Sequence, residues 1–266
     1  MTRARVVVRG GGDLGSGVAL RLWRAGFEVV VLEVAQPVAV RRTVTFSETV
    51  YDGESHVEEA RGVLAESVEV AIDLFRRREV PVVVDPEVTS LSRLRPDALV
   101  DATMAKRNLG TSLELAPCVI CLGPGFRAGV DCDAVIETNR GPHLGRVLWT
   151  GSAEADTGIP GAVRGATIER VLRAPTDGTL VGLKSIGNIV EVGEVVARVD
   201  GRPVTSELAG MVRGLARNGL WVRAGMKIGD IDPRLDPELC RLVSDKALAI
   251  AGGVLEAVLM RVHARE

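Results

Sequence analysis

At 266 residues the chain is longer than one average domain and leaves room for about two. Hydrophobic residues make up 46%, enough for a sizeable core. A formal net charge of −2 and a pI near 6.0 argue against a general binder of nucleic acid or membrane surfaces, and 3% aromatic residues are too few for a base-stacking platform. The opening MTRARVVVRGGG has too short an apolar run for a secretory signal. The late run ALAIAGGVLEAVLM (247–260) contains Glu256 and falls short of the roughly 20 residues of a membrane span. The expectation is a cytoplasmic protein with neither a nucleic-acid nor a membrane partner.

In chain order, residues 4–9 read as a strand, 14–25 as a helix and 28–33 as a second strand. The segment PVAVRRTVTFSETVYDGESHVEEARGVLAES alternates in a way that suits short strands. SVEVAIDLFRRREV (67–80) has helical spacing, with Val68, Ala71, Ile72 and Phe75 on one face. The continuous apolar runs VPVVVD (80–85), PDALVDA (96–102) and APCVICLG (116–123) suit strands covered on both sides. Strands alternating with helices predict a Rossmann-like parallel α/β sheet over residues 1–165, whose last part, from 123, is loop-rich. Loops of that density inside a folded chain are more often functional than idle.

After residue 170 the chain repeats itself. APTDGTLVGLKSIGNIVEVGEVVARVDGR (174–202) aligns without a gap on SELAGMVRGLARNGLWVRAGMKIGDIDPR (206–234), at an offset of 32 residues. Gly178, Gly182, Gly187 and Gly193 fall on Gly210, Gly214, Gly219 and Gly225, and Asp200 falls on Asp232. Two copies of one β-unit can close into a small sandwich with pseudo-twofold symmetry. That gives a second domain over 170–236, followed by a C-terminal helical segment over 240–266.

The first turn carries the richest signal. Gly10, Gly12 and Gly15 have the spacing G-x-G-x-x-G between a strand and a helix. In a dinucleotide site Gly10 makes the turn, Gly12 lets a pyrophosphate approach, and Gly15 lets helix and strand pack. The helix N-terminus offers free N–H groups, and Glu33, 21 residues after Gly12, stands where a carboxylate would bind ribose hydroxyls. The alternative is a purely structural turn, in which Asp13 caps the helix and occupies the donors a phosphate needs. Both stay open at this level. Arg41 and Arg42 follow the second strand closely; they are either fork-type phosphate contacts or a solvated pair. Gly123 and Gly125, in LGPGF, fall on the same expected strand edge and join Gly10, Gly12, Asp13, Gly15, Glu33, Arg41 and Arg42 as candidate cofactor-binding residues.

Catalytic candidates are Asp101 and Lys106, at the end of a strand and just after it, and His143 in the turn GPHLG near Glu137 and Arg140. No G-x-S-x-G motif or Ser/His/Asp order supports hydrolase chemistry. Cys118 and Cys121 form C-x-x-C in a predicted strand, where i and i+3 point to opposite faces. With Cys132 and Cys240 they read as core thiols rather than metal ligands, and no metal site is expected.

Several stretches together resemble one bacterial family: RGGGDLGSGVALRLWRAGFEVVVLE, RRTVTFSETVYDG, VDATMAKRNLGT, LGPGFRAGVDCDAVIETNRG, GIPG and DKALAIAGGVLEAVL. It is the selenium-dependent molybdenum hydroxylase system accessory protein family, also called the YqeB family. The resemblance runs in order along nearly the whole chain. It implies a factor that helps mature such hydroxylases through cofactor handling or selenium/sulfur insertion, with an apo molybdenum hydroxylase as partner. It supplies no established catalytic residue. In RGPHLG, Pro142 displaces His143 from a position directly after the glycine, a departure that weakens a role for it. The 174–234 repeat is similar to the barrel-sandwich hybrid of lipoyl and biotinyl carriers, but the matching turn VDGRPV has Arg202 and no lysine, so no lipoyl or biotin is expected.

Two functions follow. One is a maturation factor that holds a nucleotide-type ligand, such as the molybdopterin dinucleotide, at the Gly-rich turn. The other is an NAD-dependent oxidoreductase with a carrier-like appendage, Glu33 favouring NAD. A homo-oligomer is compatible with both.

Overall fold

The computed structural model describes residues 3–156, 158 and 163–263, with backbone alone for 262 and 263. Most of the GIPG motif, residues 159–161, lies outside the described residues. The chain forms two compact units. The first takes Met1–Pro37, Thr45–Asp156 and Val243–Glu266; the second takes Val38–Val44 and Thr157–Leu242.

The first unit is built on strands β1 (Arg5–Arg9), β2 (Glu28–Glu33), β3 (Glu54–Val57), β4 (Ala60–Leu64), β5 (Val80–Val84), β6 (Ala98–Asp101), β7 (Val119–Leu122), β8 (Ala134–Ile136) and β9 (Val147–Leu148). Its helices are α1 (Asp13–Arg24), α2 (Thr49–Asp52), α3 (Val68–Arg76), α4 (Leu91–Leu94) and α5 (Asp245–His263). The nine strands form one sheet in the order β3-β4-β5-β2-β1-β6-β7-β8-β9. All neighbours are parallel except the β3/β4 and β8/β9 pairs at the two edges.

The continuous valine runs are resolved by the pleat into two faces. Val6, Val8, Val29, Val31, Val82 and Val100 pack under α1 and α5, while Val7, Val30, Leu32, Leu99 and Val135 pack under α3 and α4. Each such buried side chain contributes roughly 1.5–3 kcal/mol of transfer free energy. The two cysteines of the C-x-x-C divide in the same way, Cys118 into one core and Cys121 into the other. All four cysteines are buried free thiols. The Cys132 thiol beside it, together with burial, holds the Cys121 thiol far above its ordinary range, which makes it inert.

Three sequence expectations change here. The 240–266 segment is not a separate appendage: α5 begins at Asp245 and joins the first unit beside α1. A Cβ on Gly17 would lie 2.8 Å from that of Ala247, so only small residues let the two helices meet. The apolar residues Ile250, Ala251, Val254 and Val258 complete the core there. Short strands across the whole 37–67 segment are also not what forms. β3 and β4 make a hairpin, but Arg42–Val44 and Phe46–Glu48 are single 3₁₀ turns followed by α2. The loop-rich limit at 165 moves as well, since the first unit's share there ends at Asp156.

The second unit has strands β10 (Val171–Arg173), β11 (Gly178–Gly182), β12 (Ile189–Val190), β13 (Val195–Val199), β14 (Arg202–Thr205), β15 (Gly210–Leu215), β16 (Trp221–Val222) and β17 (Lys227–Asp232). They form two four-stranded antiparallel sheets, β10-β17-β15-β12 and β14-β13-β11-β16. The 32-residue repeat is visible in the pairing. Gly178 faces Val222, and its counterpart Gly210 faces Val190, the counterpart of Val222. Leu180, Val190, Val199, Val212, Val222 and Ile231 fill the core between the sheets.

Candidate functional site

At the C-terminal ends of the parallel strands, the Gly10–Gly15 turn connects β1 to α1. Gly10 has φ of +99°, a left-handed conformation that suits glycine. A Cβ on Gly15 would come 1.9 Å from the Gly10 carbonyl oxygen, so this glycine is required for helix and strand to pack. Gly12 differs. Its φ is −70°, it stands at the N-cap of α1 with no side-chain cap, and a Cβ there would meet nothing within 4 Å. Neither backbone geometry nor packing explains a glycine at this position.

Asp13 is the first residue of α1, not its cap, and an acid in that turn suits the helix dipole. The loop donor is claimed instead by Glu33. Its Oε2 accepts from the Gly11 amide at 2.7 Å and its Oε1 from the Val34 amide at 2.8 Å. The Ser16 hydroxyl donates to the Gly11 carbonyl at 2.8 Å and accepts from the Phe46 amide at 2.8 Å, fastening the loop further. Burial raises the Glu33 pKa, against the lowering effect of the two amide bonds.

Glu33 is one of four buried acids that end or follow parallel strands and hold the next loop. After β5, Asp85 accepts from the Thr89 and Ser90 amides at 3.0 and 2.7 Å. Burial pushes its pKa up, but the Ser90 and Thr89 hydrogen bonds outweigh that and hold it below the usual range. At the end of β6, Asp101 is fully buried; it accepts from the Thr103 amide and hydroxyl and from the Thr111 hydroxyl, the last at 2.6 Å, with Arg9 at 3.5 Å. After β8, Glu137 accepts from the Asn139 and Glu154 amides at 2.7 and 2.8 Å. Carboxylates take these donors strongly, so the rim is ordered by acids turned inward.

A cavity of about 350 Å³ opens on this rim, lined by Arg9, Gly10, Glu33, Asp85, Thr103 and Leu109, with Leu32, Val34, Pro86 and Glu87. That volume lies at the small end of ligand pockets, which run from about 300 to 1,000 Å³. It suits a nucleoside-sized group rather than a whole dinucleotide. The Arg9 guanidinium is held at the cavity wall by the Pro86 and Leu109 carbonyls at 3.1 and 3.2 Å.

The remaining sequence candidates are not gathered into one centre. Asp101 supports loops and is fully buried. Lys106 pairs with Asp156 at 2.5 Å. His143 is exposed in the turn after Gly141. Gly123 and Gly125, both at positive φ, are filled from within the chain. A Cβ on Gly123 would lie 2.6 Å from the Thr138 hydroxyl oxygen, and one on Gly125 2.7 Å from the Arg107 nitrogen. Their need for glycine is thus met by loop packing.

Arg41 and Arg42 belong to the second unit and correct the phosphate-contact expectation. Arg41 is buried and donates to the Leu239 and Leu242 carbonyls at 2.9 and 2.8 Å; Arg42 donates to the Leu215 carbonyl at 2.8 Å. These bonds bind the 38–44 segment to its own unit. They also explain why it forms no strand, since its contacts run from side chain to carbonyl and not along a ladder.

Sequence reasoning missed Lys246. It stands in the first turn of α5, half-buried and facing Arg140, Asp13, Asp156 and Glu137. Burial first, then Arg140, lower its pKa; the three carboxylates oppose them. The available signal was the scarcity of lysine, four residues against 29 arginines. Among the described residues no cluster of three or more His, Cys, Asp or Glu is placed to hold a metal ion, and no helix is long and apolar enough to cross a membrane.

These features define a mixed α/β protein with a large, mainly parallel sheet, a glycine turn and an acid-lined cavity at its strand ends, and a unit of two antiparallel sheets. No family model matches the chain. Over 258 residues it is 50% identical to "Uncharacterized protein YqeB" of Escherichia coli (strain K12), a match that covers 97% of this chain and 48% of that protein. This supports a YqeB family, and the chain spans about half the length of that relative. Similar solved structures include an aspartoacylase family protein from Mesorhizobium loti, at 11% identity over 86% of this chain and 85% of that one, with a TM-score of 0.28. Another is the ectoine utilization protein EutE (DoeB) from Ruegeria pomeroyi, at 13% identity over 86% of each chain, with a TM-score of 0.25. Likenesses this distant bear on neither site nor chemistry.

Proposed function

We propose that the chain is an accessory factor in the maturation of a selenium-dependent molybdenum hydroxylase, and that it holds a nucleotide-bearing ligand, the molybdopterin dinucleotide cofactor, at the Gly10–Gly15 turn. One observation carries this reading: Gly12 keeps open space over the α1 N-terminus although neither its φ nor its packing demands glycine. A ligand's phosphate approaching the helix amides is what such a position accommodates. The strand order β5-β2-β1-β6-β7-β8 supports it, because a Rossmann-like sheet places its crevice at the ends of β1 and β6, beside this turn. The cavity supports it too. Its apolar wall of Leu32, Val34, Pro86 and Leu109 suits a base, and the Arg9 guanidinium at its wall suits a phosphate. In the second unit, the repeat and its hairpin turn at Asp200–Gly201 resemble a lipoyl-type sandwich without the carrier lysine. This leaves that unit a docking role.

The test is calorimetric titration of the purified chain with molybdopterin dinucleotide and, separately, with NAD, for wild type and Gly12→Val. Binding of the molybdopterin dinucleotide that is lost in the still-folded variant is the expected result. Absence of heat with either dinucleotide at millimolar concentration overturns the reading, and binding of NAD alone replaces it with the oxidoreductase alternative.

A further inference from the structure

The two copies of the repeat build equivalent sheet faces with unequal fates. In the second copy, Met211, Arg213, Asp230 and Asp232 stand on the face turned away from the core formed by Val212 and Ile231. That face is covered. Met211 is 1% exposed and its sulfur lies 3.9 Å from that of Cys240. Val40 lies against Gly214, and Arg213 donates to the Leu239 carbonyl at 3.2 Å. Under the cover, Asp230 pairs with Arg170 at 2.9 Å, and Arg213 stands 3.8 Å from Asp230. The cover is made of the 38–44 segment and residues 237–242 of the same unit.

In the first copy the equivalent positions are Thr179, Val181, Arg198 and Asp200, each 32 residues earlier. Register places Trp221 opposite Thr179, Val181 opposite Arg198, and Arg198 opposite Pro203. Alternation turns these five residues to one face, because Leu180, Val199, Val204 and Val222 between them are buried in the core. This face is bare: Trp221 is 59% and Val181 45% exposed.

We infer that the Trp221, Val181 and Arg198 face is a docking surface for a partner protein segment that brings a carboxylate to Arg198 and an apolar side chain to Trp221 and Val181. Resting on the function proposed above, that partner is the apo-hydroxylase. The chemistry of the occupant follows by complement from the covered twin, where Asp230, at the position of Arg198, is neutralised by Arg170 beneath a packed apolar layer. Here Arg198 donates only to the Gly201 carbonyl, at 2.9 Å, among the bonds of this face and has no acid across from it in the register, while Asp200 is engaged with the Thr179 amide at 2.8 Å. Tryptophan and arginine are also the residues on which interfaces concentrate their binding free energy. A second copy is the poorer occupant, since the same face brings Arg198 and, as its acid, Asp200, which already accepts from the Thr179 amide.

The test measures binding of the full chain to purified apo-hydroxylase for wild type, Trp221→Ala, Arg198→Glu and the control Met260→Ala, which alters an exposed side chain of α5. Circular dichroism confirms that each variant is folded. Both face variants are expected to weaken binding at least tenfold, with the control unchanged. Equal binding by all four overturns the docking face and leaves the accessory reading standing. No binding by wild type removes the accessory reading and this assignment together. Sedimentation that shows a dimer dissolved by Trp221→Ala assigns the face to a second copy and overturns the proposal as well.

Discussion

The two units bury their carboxylates for different ends. In the first, Glu33, Asp85, Asp101 and Glu137 sit at strand ends and accept mainly from loop amides and hydroxyls. In the second, Asp230 and Asp232 are held by Arg170, Arg213 and Arg234. An amide bond fixes the backbone that donates it, so the first pattern orders loops around a cavity. An arginine pair neutralises charge under a packed layer, so the second pattern seals a surface. The site therefore falls where acids shape the chain, and the seal falls where they meet cations.

The largest effect that would break this comparison is at Asp230. Asp230→Ala leaves Arg170, itself buried, without the carboxylate that its Nη2 bonds, and losing one member of a buried pair costs roughly 3–5 kcal/mol. Urea unfolding should show that loss, whereas a cost under about 1 kcal/mol would mean that the pair seals nothing. Next come the turn glycines. Gly15→Ala forces a Cβ onto the Gly10 carbonyl and should cost about 1–3 kcal/mol, while Gly12→Ala should cost under about 1 kcal/mol and weaken ligand binding. Thermal melts and calorimetry on the pair separate packing from binding; equal destabilisation by both would return the turn to a structural role.

The smallest effect is in pH. Asp85 has a depressed pKa in the folded state, so its contribution is present at neutral pH and lost as pH falls through that folded value. Glu33 is shifted the other way by burial: its ionisation opposes folding as pH rises through its raised pKa, and acidification relieves that. Asp85→Asn should flatten the acid limb of stability against pH, and Glu33→Gln should steepen it. The same change in both variants would show that the rim acids do not act separately.

Much of the fold was legible because the responsible forces are local. β2 occupies Glu28–Glu33 as read, since a run of valines between a turn and an acid has one extended solution. α1 starts within a residue of expectation. The repeat was legible because its glycines keep one spacing in sequence and one register in space. Segment 38–44 was not, because its form depends on carbonyls at Leu215, Leu239 and Leu242, far along the chain. Glu33 was placed at the right strand end but given an outward task; its inward bond to Gly11 is a matter of side-chain reach that spacing does not encode. Lys246 escaped because its neighbours Asp13, Glu137 and Asp156 are distant in sequence.

The exchange of partners in the second unit has a consequence for assembly. The opening strand of each repeat, β11 or β15, finds a neighbour in the short second strand of the other, β16 or β12. Neither half can complete its ladders by itself, so cutting the chain between residues 206 and 209 would strand both halves with raw edges. The duplicated sequence has become a single cooperative piece that must form together, and the two halves are free to diverge only where they do not hold each other.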